Sequence, residues 1–128
     1  MGIESKKFGL FRHATNTLVY PPHTVLFWEG DEGNTMYAIK RGSVEVLVDG
    51  KAVDTLGEDE VFGEMALLEH KTRSATVMTR EETELIEIDA AHFYILARQN
   101  PHFALQLMHL LSERLRHAHA LSRVREAS

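Results

Sequence analysis

The chain is 128 residues long, 44% hydrophobic and 26% charged, enough for one globular core and too little for a sensor joined to a separate DNA-reading domain. Its 14 Lys and Arg against 19 Asp and Glu leave a net charge of −5, so it lacks the basic surplus of a general nucleic-acid binder, and no direct nucleic-acid partner is expected. With no cysteine it has no disulfide framework and no thiolate zinc site, and without an apolar run of spanning or signal-peptide length it is expected off the membrane, in the cytoplasm.

Residues 1–20, with Phe8, Leu10 and Phe11, are expected to make a short helical segment packed outside the main core. From Pro21 to Asp89 the sequence breaks into β-branched and aromatic runs, TVLFWE, MYAIK, SVEVLV, KAVDTL, SATVMT and TELIEID, separated by turn residues. Between SVEVLV and KAVDTL stands Asp49-Gly50, a pair that tolerates the positive φ of a two-residue hairpin turn, while Val44, Val46 and Val48 alternate onto one face. Glu29–Asn34 and Arg41-Gly42 mark further turns. Close-spaced strands without long intervening helices predict a mainly β domain at 21–89, an antiparallel β-roll or jelly-roll barrel that closes its edges.

Asp89 can cap a helix AAHFYILARQ, in which Phe93, Leu96 and Ala97 share a side. Asn100-Pro101 stops it and starts another, Asn as N-cap and Pro at the first helical position. This last helix is expected from Pro101 to about Val124, so that C-terminal helices fill 90–125. Its stripe of Leu107, Leu111, Leu115 and Ala118, widened by Leu110, Leu121 and Val124, is broader than one small barrel needs, which predicts a homodimer through this helix.

The segment 62–77, Phe-Gly-Glu-Met-Ala-Leu-Leu-Glu-His-Lys-Thr-Arg-Ser-Ala-Thr-Val, carries the chemistry. Gly63 has no β-carbon, so an anion can approach the backbone there, and Glu64 to Leu67 can wind into one helical turn whose first NH groups lack partners. Arg73 adds a planar, permanently charged fork suited to two phosphate oxygens. A carboxylate beside a phosphate is repulsive unless it accepts from another part of the ligand, so Glu64 asks for a sugar hydroxyl. The pair therefore asks for a ribose phosphate, and Ala66 and Ala75 are small where it would press on the backbone. Glu64 and Arg73 alone would read as a surface ion pair worth about 0 to 1 kcal/mol; the whole string argues otherwise.

Phe62-Gly63-Glu64-Met65-Ala66-Leu67-Leu68 followed by Arg73-Ser74-Ala75-Thr76-Val77 resembles the phosphate-binding cassette of the cyclic nucleotide-binding domain family. The likeness extends to Glu29-Gly30-Asp31, Met36-Tyr37-Ala38-Ile39, Gly42-Ser43-Val44 and Asn100-Pro101, covering about residues 18 to 118. It implies that Glu64 binds the ribose 2′-hydroxyl, that Arg73 pairs with the cyclic phosphate, and that Gly63, Met65 and Ala66 offer backbone donors around it. Ser74 resembles a side chain that also reaches the nucleotide, and as Ser rather than Thr it favours cAMP over cGMP, with cGMP the second candidate ligand. The resemblance implies a regulatory module, not an enzyme, whose last helix moves over the base. Ala118 and His119 stand where an adenine-contacting Thr-Ser pair occurs in the catabolite activator, and Asp59-Glu60 replaces a common Gly-Asp before the cassette.

Two other readings compete. The same fold could be a nucleotide-independent dimerisation or scaffold domain, serving a protein partner that the sequence does not identify. A cupin-like metalloenzyme would use the eight histidines, but His117 and His119 face different ways on a helix, and His109, Glu113 and His117 have the spacing of a solvated face.

Overall fold

The computed structural model describes residues 11, 14–69 and 72–127, with side chains described for 11, 14–67 and 72–114. Eight strands come first in chain order, interrupted by one short helix: β1 Leu18–Tyr20, β2 Val25–Phe27, β3 Thr35–Arg41, β4 Val44–Val48, β5 Lys51–Leu56, β6 Val61–Phe62, α1 Glu64–Glu69, β7 Thr76–Thr79 and β8 Thr83–Asp89. Two helices follow, α2 Ala90–Gln99 and α3 Pro101–Ala127. The strands form two antiparallel four-stranded sheets, ordered β1-β8-β3-β6 and β2-β7-β4-β5. The expected β-roll with C-terminal helices is the observed architecture.

Strands β3 and β8 carry apolar side chains on both of their faces. Tyr37, Ile39 and Leu85 face the roll interior with Val44, Leu56, Phe62 and Val77. Met36, Ala38, Ile86 and Ile88 face the other way, onto Phe103, Leu107 and Leu110 of α3 and onto Phe11. One sheet is thus covered on both faces, by its partner sheet and by helices. The Asp49-Gly50 hairpin forms with φ of 52° and 77°, both positive as the primed turn requires.

Several local expectations need correction. Leu18–Tyr20 is a strand paired with β8, not the end of a helical segment; the rest of that segment, apart from Phe11 and residues 14–17, lies outside the described residues. Phe11 is buried, edge-on to Phe103 at 5.9 Å. Strand β6 was not expected, because two residues carry no period. The α3 seam is Phe103, Leu107 and Leu110, with Leu111 only partly buried; Leu115, Ala118, Leu121 and Val124 have no described side chains. Asp89 caps α2 as expected, accepting from His92 N at 2.8 Å. Asn100 turns its side-chain amide back to Leu96 O at 3.1 Å, while its carbonyl accepts from Ala104 N at 3.3 Å. It therefore closes α2 with its side chain and opens α3 with its backbone.

Candidate functional site

Strand β6 delivers Gly63 to the roll mouth, and the chain turns there with φ +80°, a left-handed conformation that favours glycine. Space demands glycine too: a β-carbon would lie 2.8 Å from Arg73 Nη1 and 3.3 Å from Thr35 O. Helix α1 begins at the next residue. Glu64 is 2% exposed and Ala66 is buried, whereas Met65 is half-buried.

Arg73 reaches the same point from the far end of the segment, its backbone clamped to the β2–β3 turn by Arg73 N to Asp31 O and Gly30 N to Arg73 O, each 2.8 Å. The side chain is 6% exposed. Nη1 donates to Thr35 O at 2.8 Å and to Gly63 O at 3.1 Å, and Nη2 donates to Thr35 Oγ1 at 3.1 Å. The guanidinium carbon stands 4.1 Å above the Phe27 ring, within cation–π reach. Phe27 is followed by Tyr37 at 6.1 Å and Tyr37 by Phe62 at 5.1 Å, a stacked floor of three rings. Burial pulls the Arg73 guanidinium below its ordinary value, opposed by Tyr37, Asp31 and Glu87.

Both Nη1 protons and one Nη2 proton are therefore engaged, leaving the other Nη2 proton and Nε–H, the edge of the fork that accepts a phosphate bidentately. Nε is buried without a hydrogen-bond partner, a cost of about 1–3 kcal/mol if nothing fills it. The neighbouring residues at the start of α1 add amides with no intrahelical acceptor. An orphaned buried donor on a cation is what a bound oxyanion would satisfy.

Glu64 has a partner that the sequence reading did not single out. Arg114 of α3 forms an ion pair through Nη1 with Glu64 Oε1, and its Nη2 donates to Val61 O at 2.9 Å. Burial lowers the Arg114 pKa, while Asp54 and Glu60 raise it. A signal for Arg114 was present: the seam Phe103, Leu107, Leu110 continues at helical spacing to position 114, so a cation stands where the core-facing stripe calls for an apolar side chain. Thr35 and Gly33 were also missed. A β-carbon on Gly33 would lie 2.3 Å from Arg73 Nε, so this backbone is the roof over the guanidinium.

The structure brings Gly63, Glu64, Ala66 and Arg73 together. Ser74 is exposed and Ala75 half-buried beside them. His109 pairs with Glu113 at 3.2 Å on α3, and the side chains of His117, Ala118 and His119 lie outside the described residues. No helix among the described residues is long and apolar enough to cross a membrane.

The chain is similar to the cyclic AMP receptor protein of Thermus thermophilus, 35% identical over 105 residues, which are 78% of this chain and 49% of the relative. It therefore spans about half the length of that relative. Among solved structures, the Thermus thermophilus catabolite activator protein superposes with a TM-score of 0.78 at 29% identity, covering 93% of this chain and 63% of that one. The cGMP-bound form of an EAL enzyme superposes at 0.62 with 30% identity, covering 85% and 31%. The model of the cyclic nucleotide-binding domain matches residues 17–100, and with that match over most of its length the chain belongs to the cyclic nucleotide-binding domain family, a family of regulatory binding modules rather than enzymes.

Proposed function

We propose that the domain is a ligand-gated sensor of a 3′,5′-cyclic purine nucleotide, with Arg73 on the phosphate, Glu64 on the ribose 2′-hydroxyl, and the amides of Gly63, Met65 and Ala66 around the phosphate. The observation that carries this reading is the orphaned Nε of a buried arginine, held on Thr35 and Gly63 at the start of the helix that bears Glu64. Ser74 and Ala75 border the same mouth. cAMP is the ligand named for the Thermus relative, and Ser74 leans the same way; cGMP is the second candidate, as the EAL enzyme's bound form illustrates for that protein.

The ion pair between Glu64 and Arg114 gives the ligand a mechanical handle on α3. A nucleotide whose ribose competes for Glu64, or reinforces its hold on Arg114, has different affinities for the docked and undocked helix, and only such a difference moves an equilibrium. Leu107 and Leu110 of the stripe expected to join two copies are instead buried in this chain's own core, so self-association through α3, alongside a protein partner, would rest on Leu105 and Met108, 63% and 64% exposed. The setting assumed is the cytoplasm.

The test is isothermal calorimetry with cAMP and cGMP on the wild type and Arg73→Ala. Saturable heat in the wild type, weakened by about 2 to 5 kcal/mol in the variant as for truncating one partner of a buried charge pair, is the expected result. Wild-type silence toward both nucleotides would overturn the reading and leave the scaffold alternative.

A further inference from the structure

Resting on that reading, we infer that Phe27 is a positioning residue for phosphate recognition: its ring face seats the Arg73 guanidinium and leaves the Nε edge of the fork free for the ligand. A buried cation ordinarily takes a carboxylate partner. Arg73 is 6% exposed, yet among the described residues no carboxylate forms an ion pair with it. What faces the charge instead is the Phe27 ring, with the guanidinium carbon 4.1 Å from its centroid.

An irregularity in β2 builds this seat. Val25 pairs with Met78 and Phe27 with Val77, so two steps along β2 match one step along β7, the count of a β-bulge. Side chains of a regular strand alternate between faces, whereas the neighbours Leu26 and Phe27 both pack against the interior cluster that holds Phe62 and Val77. The bulge lets both turn inward. There the ring is steadied by Tyr37 and Phe62, each with its centroid 6.1 Å away. The Gly33 backbone crowds the same guanidinium, since a β-carbon on it would lie 2.5 Å from Cζ. Ring, bare backbone and the acceptors of Thr35 and Gly63 restrict the fork together.

The chemistry of the ring matters more than its bulk. A carboxylate in that place would neutralise the cation and occupy N–H donors of the fork. A ring face attracts the cation through its quadrupole and takes no N–H. Both the charge and the orphaned Nε–H therefore remain for an oxyanion. A long side chain binds ligand only in the conformers that point correctly, and apparent affinity falls with their fraction. Loosening the seat thus weakens binding without removing any contact to the ligand.

The experiment replaces Phe27 by phenylalanines carrying one, two and three ring fluorines, which drain electron density from the ring face in steps while nearly keeping its shape, and by Leu, which keeps apolar bulk without a ring. Dissociation constants of cAMP and cGMP and urea midpoints are measured for each. Successive fluorines are expected to weaken both nucleotides stepwise, together by about fivefold or more, the range of a desolvated cation–π contact, with the urea midpoint level across the series. Phe27→Leu is expected to lose at least as much. The two nucleotides should move in parallel, because they bring the same phosphate. A fluorine series of unchanged affinity overturns the assignment even where Phe27→Leu binds weakly, since a loss confined to leucine reports packing; so does a loss that only tracks the urea midpoint. Either result on a wild type that binds leaves the sensor reading intact. A wild type that binds neither nucleotide overturns the sensor reading and this inference with it.

Discussion

Glu64 on the cassette helix and Arg114 on the last helix form an ion pair across the mouth of the β-roll, with the carboxylate side chain 3% exposed and the guanidinium 30% exposed. The pair ties the candidate sugar-binding group to a helix fifty residues later in the chain. A buried carboxylate loses far more than its pairing energy when its cation is removed, because the charge stays behind without solvent.

Arg114→Ala is therefore expected to destabilise the domain by about 3 kcal/mol, measured by urea denaturation. The double variant Glu64→Gln with Arg114→Met should lose clearly less than the sum of the two single changes, since neither leaves a charge stranded once both are gone. Additive losses would show that the two side chains do not act on each other.

Gly33→Ala separates the placing of Arg73 from the fold. Residue 33 does not have a positive φ, so alanine is tolerated by the backbone there, but its methyl would lie 2.3 Å from Nε and 2.5 Å from Cζ of Arg73. The guanidinium is the far end of a flexible side chain and gives way first. The expected result is nucleotide binding weaker by about tenfold or more, as for losing one charge-assisted hydrogen bond, with a urea midpoint close to that of the wild type. Unchanged affinity would mean that Arg73 binds from another position.

Two runs read from the sequence by their β-branched residues and flanking turns, KAVDTL and TELIEID, coincide with β5 and β8. The approach of Arg73 to Gly63 was legible, because a glycine at the start of a helical turn and an arginine ten residues on suit one another's space. Arg114 was not, since its role depends on how α3 crosses β6, a distance of 53 residues along the chain to Val61. Thr35 escaped notice for a similar reason: its carbonyl and hydroxyl serve Arg73 only because β3 starts beside Gly63. Local pattern specifies elements and faces; which faces meet is a tertiary fact.

Glu84 makes the acid limb of the stability profile testable. Its carboxyl is held below the ordinary value of 4.5 first by the hydrogen bond from Thr17 Oγ1, which desolvation opposes, and further by Lys40 and Arg41; the Thr17 bond is 2.5 Å. A group whose native pKa is depressed contributes stability above its unfolded value and loses it as pH falls through the native one. The loss should begin near pH 4.5 and be complete below the depressed value. Glu84→Gln should flatten that part of the curve, visible as a smaller fall in urea midpoint on acidification. An unaltered acid limb would place the protons elsewhere.

Helix α3 presents two faces that mutation can tell apart. Leu107 is 2% exposed between Met36, Ile86 and Phe103 in the outer core, whereas Leu105, two positions away, is 63% exposed. Leu107→Ala removes buried methyl groups and leaves a cavity, so it is expected to cost about 2–5 kcal/mol. Leu105→Ala is expected to stay within about 0.5 kcal/mol in dilute protein, where only the fold is read. If the proposed self-association runs through α3, sedimentation at high concentration should show less dimer for Leu105→Ala with Met108→Ala than for the wild type, because a second chain would bury the apolar area of those side chains. If the double variant associates as strongly as the wild type, the self-association surface is not this face of α3.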